Sequence, residues 1–320
     1  MKLFSRNYIN LDSDLVQYYG LNIIMRKYLC VPKWLPFIAF MEHGWTALDY
    51  PINSYLELKD YPLMFVDSKR RFKAYFNVKH NFKRILITGM PFILYRKSEN
   101  LCKEIEAKGT VAFPSHGTVF LKSEYNIKEY CAKLKELSSE FHPITICLHT
   151  DNMYQKEIFT TLGFEVVTAG TRYDKNFLIN FYNILKRHKY STSNIVGSHL
   201  FYSIDLNIPF FIMGEEPEYI NNPPQNPDVP GKYKISDFLY GKEAYDFFNT
   251  GPVTSISEEQ KEYVEKETGI MDASNRIILF IYYWFYFIQW ICVKIIYKIT
   301  NIMPSRLKLL LKLLIKKKSK

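Results

Sequence analysis

A series of short polar clusters interrupts the apolar stretches of this chain, and these clusters hold the side chains best suited to chemistry. They are Glu42-His43-Gly44-Trp45, Thr88-Gly89-Met90-Pro91, Ser115-His116-Gly117-Thr118, His149-Thr150-Asp151-Asn152, Gly170-Thr171-Arg172, Asn194 followed by Gly197-Ser198-His199, and Gly214-Glu215-Glu216. A histidine such as His43 titrates near neutral pH and can act as a general base, with Gly44 allowing a tight turn and close substrate approach; a structural histidine is the alternative. Gly197 and Ser198 open a predicted helix, whose free N–H groups and dipole favour an anion such as phosphate. His199 or the Ser198 hydroxyl would add a donor, although Ser198 also reads as a plain N-cap. Arg172 can pair with phosphate or carboxylate, or stand as an ordinary surface arginine. Glu215 or Glu216 can accept hydrogen bonds from ribose hydroxyls, or remain solvated loop carboxylates.

The elements that would position these groups follow from the apolar runs between them. Strands are predicted at Thr110–Pro114, Ile144–Leu148, Phe164–Thr168, Tyr190–Ser193 and Pro209–Met213. Helices are predicted at Ile127–Phe141, Gln155–Leu162, Lys175–His188 and Ser198–Leu206, giving the strand–helix alternation of an α/β doubly wound parallel sheet. In such sheets ligands bind beyond the carboxyl ends of the strands, so five successive strand ends outline one polar crevice. Earlier in the chain, strands are predicted at Phe37–Met41, Leu63–Val66 and Arg84–Thr88, with helices near Leu15–Tyr28 and Glu99–Lys108. Asn221–Pro230 reads as a loop. Ser257-Glu258-Glu259-Gln260 has the form of a capping box, with Gly269 closing that helix.

The 320 residues carry 42 Lys and Arg against 32 Asp and Glu, and ten of the basic residues lie from Arg276 onward, where no acid occurs. The rest of the chain is therefore neutral, without the excess positive charge of a nucleic-acid-binding surface. Ile277–Val293 is apolar or aromatic except for Gln289, close to the lower limit of about 20 residues for a membrane span. Its central Tyr and Trp residues and the lysine-rich end beyond it argue for surface attachment instead. In Arg306–Lys318, Lys308, Lys312 and Lys316 form one helical stripe opposite Leu307, Leu310, Leu311, Leu314 and Ile315, as suits an anionic membrane interface. No export signal is expected at the N-terminus. Five scattered cysteines without metal-binding or disulfide spacing point to a reducing compartment. GxxxxGK[ST], GxGxxG, GxSxG and HExxH are absent, and the DxD Asp12-Ser13-Asp14 reads as helix capping.

With these residues in view, the stretch from Gly109 to Gly241 resembles a family of bacterial capsule and O-antigen biosynthesis glycosyltransferases with the GT-B fold. The resemblance rests on "GTVAFPSHGT", "FHPITICLHTDN", "GFEVVTAGTRYDKNFLINFYNILKRHKYSTSNIVGSHLFYSIDLNIPFFIMGEEP" and "YGKEA", and extends through "EHGW" and "ITGMP". It implies two facing Rossmann-like domains: an acceptor-side domain over 1–105 and a nucleotide-sugar-binding domain over 106–256. A return helix over 257–275 and a membrane-attachment tail over 276–320 would follow. His43 would be the base of an inverting, metal-independent transfer requiring no cofactor. Ser115, His116, Thr118, His149, Ser193, Asn194, Ser198, His199 and Glu215 would line the donor site. Gly117 departs from the serine that similar proteins carry, and His142-Pro143 resembles the His-Pro motif of bacterial sialyltransferases. The implied partners are a nucleotide-sugar donor, a lipid-linked glycan acceptor and an anionic membrane surface at the cytoplasmic face of the inner membrane. A CDP-polyol phosphotransferase of similar fold and a non-catalytic component of a polysaccharide assembly complex are the alternatives.

Overall fold

The computed structural model describes residues 18–42, 44–52, 61–76, 78–118, 121–221 and 229–302. Asp12-Ser13-Asp14, His43, most of the 221–230 loop and the Arg306–Lys318 stripe lie outside the described residues.

Helix α1 (Leu21–Tyr28) precedes three parallel strands, β1 (Ala39–Met41), β2 (Leu63–Val66) and β3 (Arg84–Ile87), arranged in that order. All residues of β1 and β2 are buried, as expected of parallel strands covered on both faces. Helix α2 (Lys69–Phe76) connects β2 to β3, and α3 (Pro91–Ser98) follows β3. The helix expected at Glu99–Lys108 is not formed. Pro91 occupies the first turn of α3, where its fixed φ is pre-organised, and Asn100 takes a left-handed φ of 51° just after the helix. Beyond that turn, Glu104 and Lys108 donate backbone hydrogen bonds to the carbonyls of Lys186 and Arg187 instead of continuing a helix.

The second parallel sheet holds β4 (Thr110–Ala112), β6 (Ile144–Cys147), β7 (Glu165–Val167), β8 (Tyr190–Ser193) and β9 (Phe210–Ile212), and its order is β7-β6-β4-β8-β9. A short strand β5 (Lys122–Glu124) leaves this alternation to pair antiparallel with β10 (Glu218–Ile220), which also pairs with β11 (Lys232–Tyr233). The connecting helices are α4 (Ile127–Lys135), α5 (Lys156–Thr161), α6 (Phe177–Leu185) and α7 (Ser198–Asp205). The expected single helix over Ile127–Phe141 ends at Lys135, and Ser139–Phe141 forms a separate short turn. In this third-second-first-fourth-fifth order the chain reverses between β4 and β8. The loops after those two strands flank the switch-point crevice where doubly wound sheets bind ligands.

One hydrophobic cluster runs through both sheets. Phe92 of α3 stacks on Tyr202 of α7 with centroids 4.5 Å apart, and the Tyr182 hydroxyl of α6 donates to the Phe92 carbonyl at 3.0 Å. Arg96 of α3 pairs with Asp205 at the end of α7. After α8 (Leu239–Phe248), α9 (Glu258–Thr268) begins with the expected capping box: Gln260 N–H donates to Ser257 Oγ at 3.2 Å and Ser257 N–H to Gln260 Oε1 at 3.1 Å. Gly269 closes it at φ 65°, so near β2 that a Cβ would lie 2.0 Å from the Asp67 carbonyl oxygen. The final helix α10 (Arg276–Ile302) then packs Leu279, Tyr283, Phe287 and Trp290 into the core. The Tyr283 hydroxyl accepts from Ile38 N–H at 3.3 Å and donates to the Pro36 carbonyl at 3.2 Å, while its ring stacks on Phe37.

Candidate functional site

The switch-point crevice is framed by hydrogen bonds between the loops that follow β4 and β8. Ser115 N–H donates to Asn194 Oδ1 at 2.8 Å, and the Ser115 hydroxyl is within 2.8 Å of the Ser123 and Tyr219 hydroxyls. Ser193 Oγ donates to the Phe113 carbonyl and accepts from Ile195 N–H. Ser115, Ser193 and Asn194 are buried, and the two serine hydroxyls are already engaged in holding the frame. The Asn194 side-chain amide nitrogen has no hydrogen-bond partner. Thr118 closes the first loop, donating its N–H to the Leu121 carbonyl and accepting from Leu121 N–H at its hydroxyl.

Helix α7 starts beside this frame. Gly197, extended at φ −164°, is its N-cap, and a Cβ there would approach the His199 ring to 3.0 Å. Ser198 is the first helical residue, and its hydroxyl accepts the Trp45 N–H at 2.8 Å, which corrects its reading as the N-cap. His199 lies against Phe113 with its Nε2 bonded to the Ile195 carbonyl at 3.3 Å; burial brings its pKa down to about 4. The Leu200 N–H closes back onto the Gly197 carbonyl at 3.0 Å, which leaves the Ser198 and His199 N–H groups as the first-turn donors that face whatever sits before the helix.

His116 and His149 face each other across the crevice, with rings stacked at 4.5 Å. His149 Nδ1 accepts the Asp151 N–H at 3.3 Å, so in the neutral ring the proton resides on Nε2, a buried donor without a partner. Burial lowers the His149 pKa; Asp151 opposes this shift and Arg172 adds to it. Desolvation within the crevice lowers His116 to about 3, reinforced by His149 and His199, although the residue is exposed by surface area. Arg172 stacks its guanidinium over Tyr18 and Tyr173. The carboxylates are farther from the histidines in role: Glu215 is exposed, and Glu216 accepts from the N–H and hydroxyl of Ser236. His142 precedes β6 and so stands at the opposite edge of the sheet, its Nε2 bonded to the Leu137 carbonyl.

The crevice opens into a cavity of about 370 Å³ that spans the two sheets. Phe113, His116, His149, Phe181, Ser198 and Tyr202 contribute from the second sheet; Gly44, Trp45, Thr46, Ala47 and Phe92 close it from the first. Among the described residues of its wall none carries a formal charge at neutral pH, since its three histidines are all held below their ordinary pKa.

The loop that follows β1 is held rigidly. Arg71 of α2 grips both oxygens of Glu42 at 2.6 to 3.1 Å and donates to the Leu48 and Tyr50 carbonyls. Glu42 and Arg71 are each only 2% exposed, a paired burial that the Tyr75 hydroxyl completes by donating to Glu42. Arg70 donates to the Thr46 and Leu48 carbonyls and to Glu267, which also accepts from Trp45 Nε1. His43 sits in sequence between the clamped Glu42 and the cavity-lining Gly44. Asp67, at the carboxyl end of β2, is a residue that sequence reasoning missed. It is buried, and desolvation with the nearby Glu42 raises its pKa well above the usual carboxylate range despite Arg71 and Arg70. Its position directly after a strand was the available signal. Among the described residues no group of three or more His, Cys, Asp or Glu is placed to hold a metal ion.

No family profile and no curated protein sequence matches this chain. Among solved structures it is similar to the wall teichoic acid polymerase TagF with CDPG, at 12% identity and a TM-score of 0.33, over 69% of this chain and 54% of that one. The chain thus spans about half the length of that polymerase.

Proposed function

We propose that this chain is a membrane-associated glycosyltransferase of GT-B type, moving a sugar from a nucleotide-activated donor to a lipid-linked glycan acceptor at the cytoplasmic face of the inner membrane. The observation that carries this reading is the shared cavity: the switch-point crevice of a five-stranded doubly wound sheet opens onto the loop following the first strand of a second parallel sheet. In this reading 1–105 forms the acceptor side and 106–256 the donor side. The donor's phosphates face the start of α7 and Arg172, and its nucleoside is recognised around His116, His149 and Asn194, with Thr118, Glu215 and Glu216 at the margin. An acceptor hydroxyl attacks the sugar's anomeric carbon, the bond to the phosphate oxygen breaks with inversion, and the hydroxyl proton passes to His43. First-turn N–H groups of α7 stabilise the charge on the departing nucleotide, so no metal is required.

The test is a thermal-shift series on the full chain in detergent with UDP, GDP, CMP, CDP and their sugar conjugates, followed by product analysis. A ligand that binds only the folded state stabilises it by about 2.7 kcal/mol at a hundred times its Kd. A selective shift with one nucleotide, and a glycosidic product, is the expected result. No shift with any of them on folded protein would overturn the proposal, and a phosphodiester product would reassign the reaction to polyol-phosphate transfer.

A further inference from the structure

Helix α10 is long and apolar enough to cross a membrane over Arg276–Ile296, yet the body already occupies one of its faces. Leu279, Tyr283, Phe287 and Trp290 recur at helical spacing and are buried against the protein. Trp284 Nε1 additionally donates to the Leu29 carbonyl, and Arg276 Nε to the Tyr28 carbonyl. Half a turn away, Ile277, Ile281, Phe285, Ile288 and Ile295 form a second stripe, each more than half exposed. A helix crossing the bilayer in this orientation would drag β1 and the end of α1 into the hydrocarbon. A helix lying along the surface would bury only its free face.

The surroundings of the free face fit an anionic interface. The turn between Leu29 and Pro36, both of which α10 touches, projects Trp34 at 81% exposure beside the exposed Lys33. The exposed Arg84 stacks over the partly buried Tyr282, a pairing of basic and aromatic groups favoured at the headgroup level, and Lys294 covers the outer side of the buried Trp290. After Asp272 the chain has ten basic and no acidic residues. The positive charge of Lys33, Arg84 and Lys294, with the net positive composition of this end of the chain, repels a second copy and attracts anionic lipid. We propose that α10 lies in the plane of an anionic bilayer, its Ile277–Ile295 stripe sunk into the acyl boundary and Trp34, Lys33, Arg84 and Lys294 at the headgroups. This rests on the membrane residence proposed above and not on the donor chemistry.

The full chain is incubated with preformed vesicles of phosphatidylcholine alone or mixed with phosphatidylglycerol, and bound protein is separated by flotation. The wild type is expected on the anionic vesicles, and I281E/I288E is expected to bind at least tenfold less while keeping its circular dichroism and Tm. A C-terminal epitope on the bound protein is expected to remain open to added protease. Equal binding by I281E/I288E would overturn the assignment of the stripe, and a protected epitope would show a span instead. If the wild type binds no vesicle and elutes as a dimer that I281E/I288E splits, the face is an interface between copies, and membrane residence falls while the donor chemistry stands.

Discussion

The Trp45 N–H donates to Ser198 Oγ at 2.8 Å, joining the loop after the first strand to the start of a helix 153 residues later. This bond fixes the cavity's two walls relative to each other, because Trp45 also bonds Glu267 through its indole nitrogen and packs on Phe201. Gly44 makes the approach possible: its φ is 76°, and a Cβ there would meet Ser198 Oγ at 2.7 Å.

Gly44→Ala is accordingly expected to destabilise the protein by about 1–2 kcal/mol for the left-handed backbone alone, with the collision added. Replacing Ser198 by Gly as well removes the collision but not the backbone strain. Denaturant unfolding of both single variants and the double should therefore show a favourable coupling of about 1 kcal/mol; strict additivity would mean that the two residues do not press on each other.

Arg71→Met leaves Glu42 buried without its partner and should cost about 3–5 kcal/mol. Adding Glu42→Leu removes the stranded charge, so the double variant is expected to be the more stable of the two in the same unfolding measurement. If it is less stable, the pair acts through more than its mutual charge.

Acid should weaken the fold through the histidines. His199 titrates at about 4 in the folded chain, whereas an unfolded histidine titrates near 6.5. Between those values the unfolded chain binds a proton that the folded one refuses, so stability is lost as pH falls from about 6.5 toward 4. Asp67 acts in the opposite sense. Its raised pKa contributes stability that is present below the ordinary carboxylate value and lost as pH rises. The discriminating comparison is with His199→Phe, which keeps a ring on Phe113: the stability gap between wild type and variant should shift in the variant's favour by more than 1 kcal/mol from pH 7 to pH 5. A constant gap would show that His199 titrates normally.

His149→Asn retains an acceptor near the Asp151 N–H but deletes the unpartnered Nε2–H. The asparagine amide brings unpartnered N–H donors of its own and loses the stack on His116, so no gain in Tm is expected and ligand binding is the deciding readout. The variant's nucleotide-induced shift should shrink, with Kd raised about tenfold. A lower Tm with unchanged Kd would reduce His149 to a structural role.

His43→Ala should leave donor binding intact and lower turnover by about two orders of magnitude or more, as loss of a general base does. Isothermal binding and single-turnover kinetics on the same preparation separate the two quantities. Turnover near wild type would remove His43 from the mechanism.

Most of the second sheet was readable because its strands fall within short, largely apolar runs followed by polar or glycine turns, whereas Tyr190–Ser193 is a buried Tyr-Ser-Thr-Ser stretch ended by Asn194. Tyr190–Ser193 matches to the residue, and the others are shorter by one or two. The capping box at Ser257 and the αL glycine at 269 were legible for the same local reason. Helix α2 was not, because its buried positions are Arg71, Ala74 and Tyr75, so no apolar stripe marks it. The arginine is inside only because Glu42, from a distant strand end, neutralises it. Likewise Ser115, Ser193 and Glu216 read as candidate ligand groups by residue type, while their hydrogen bonds to Tyr219, Phe113 and Ser236 come from tertiary neighbours that spacing does not reveal.

The docking of α10 also changes what removal of the C-terminal segment would mean. Leu279 and Tyr283 are fully enclosed, and Tyr283 covers Phe37 and Ile38 just before the first strand, so a chain cut before Arg276 would expose its own core. The same helix offers its other face to solvent. A surface that binds that face more tightly in the docked helix than in the unfolded chain favours the folded state. Under the proposed seating the bilayer is therefore a stabilising ligand of the fold: attachment and folding are thermodynamically linked, and lipid raises the unfolding temperature by mass action.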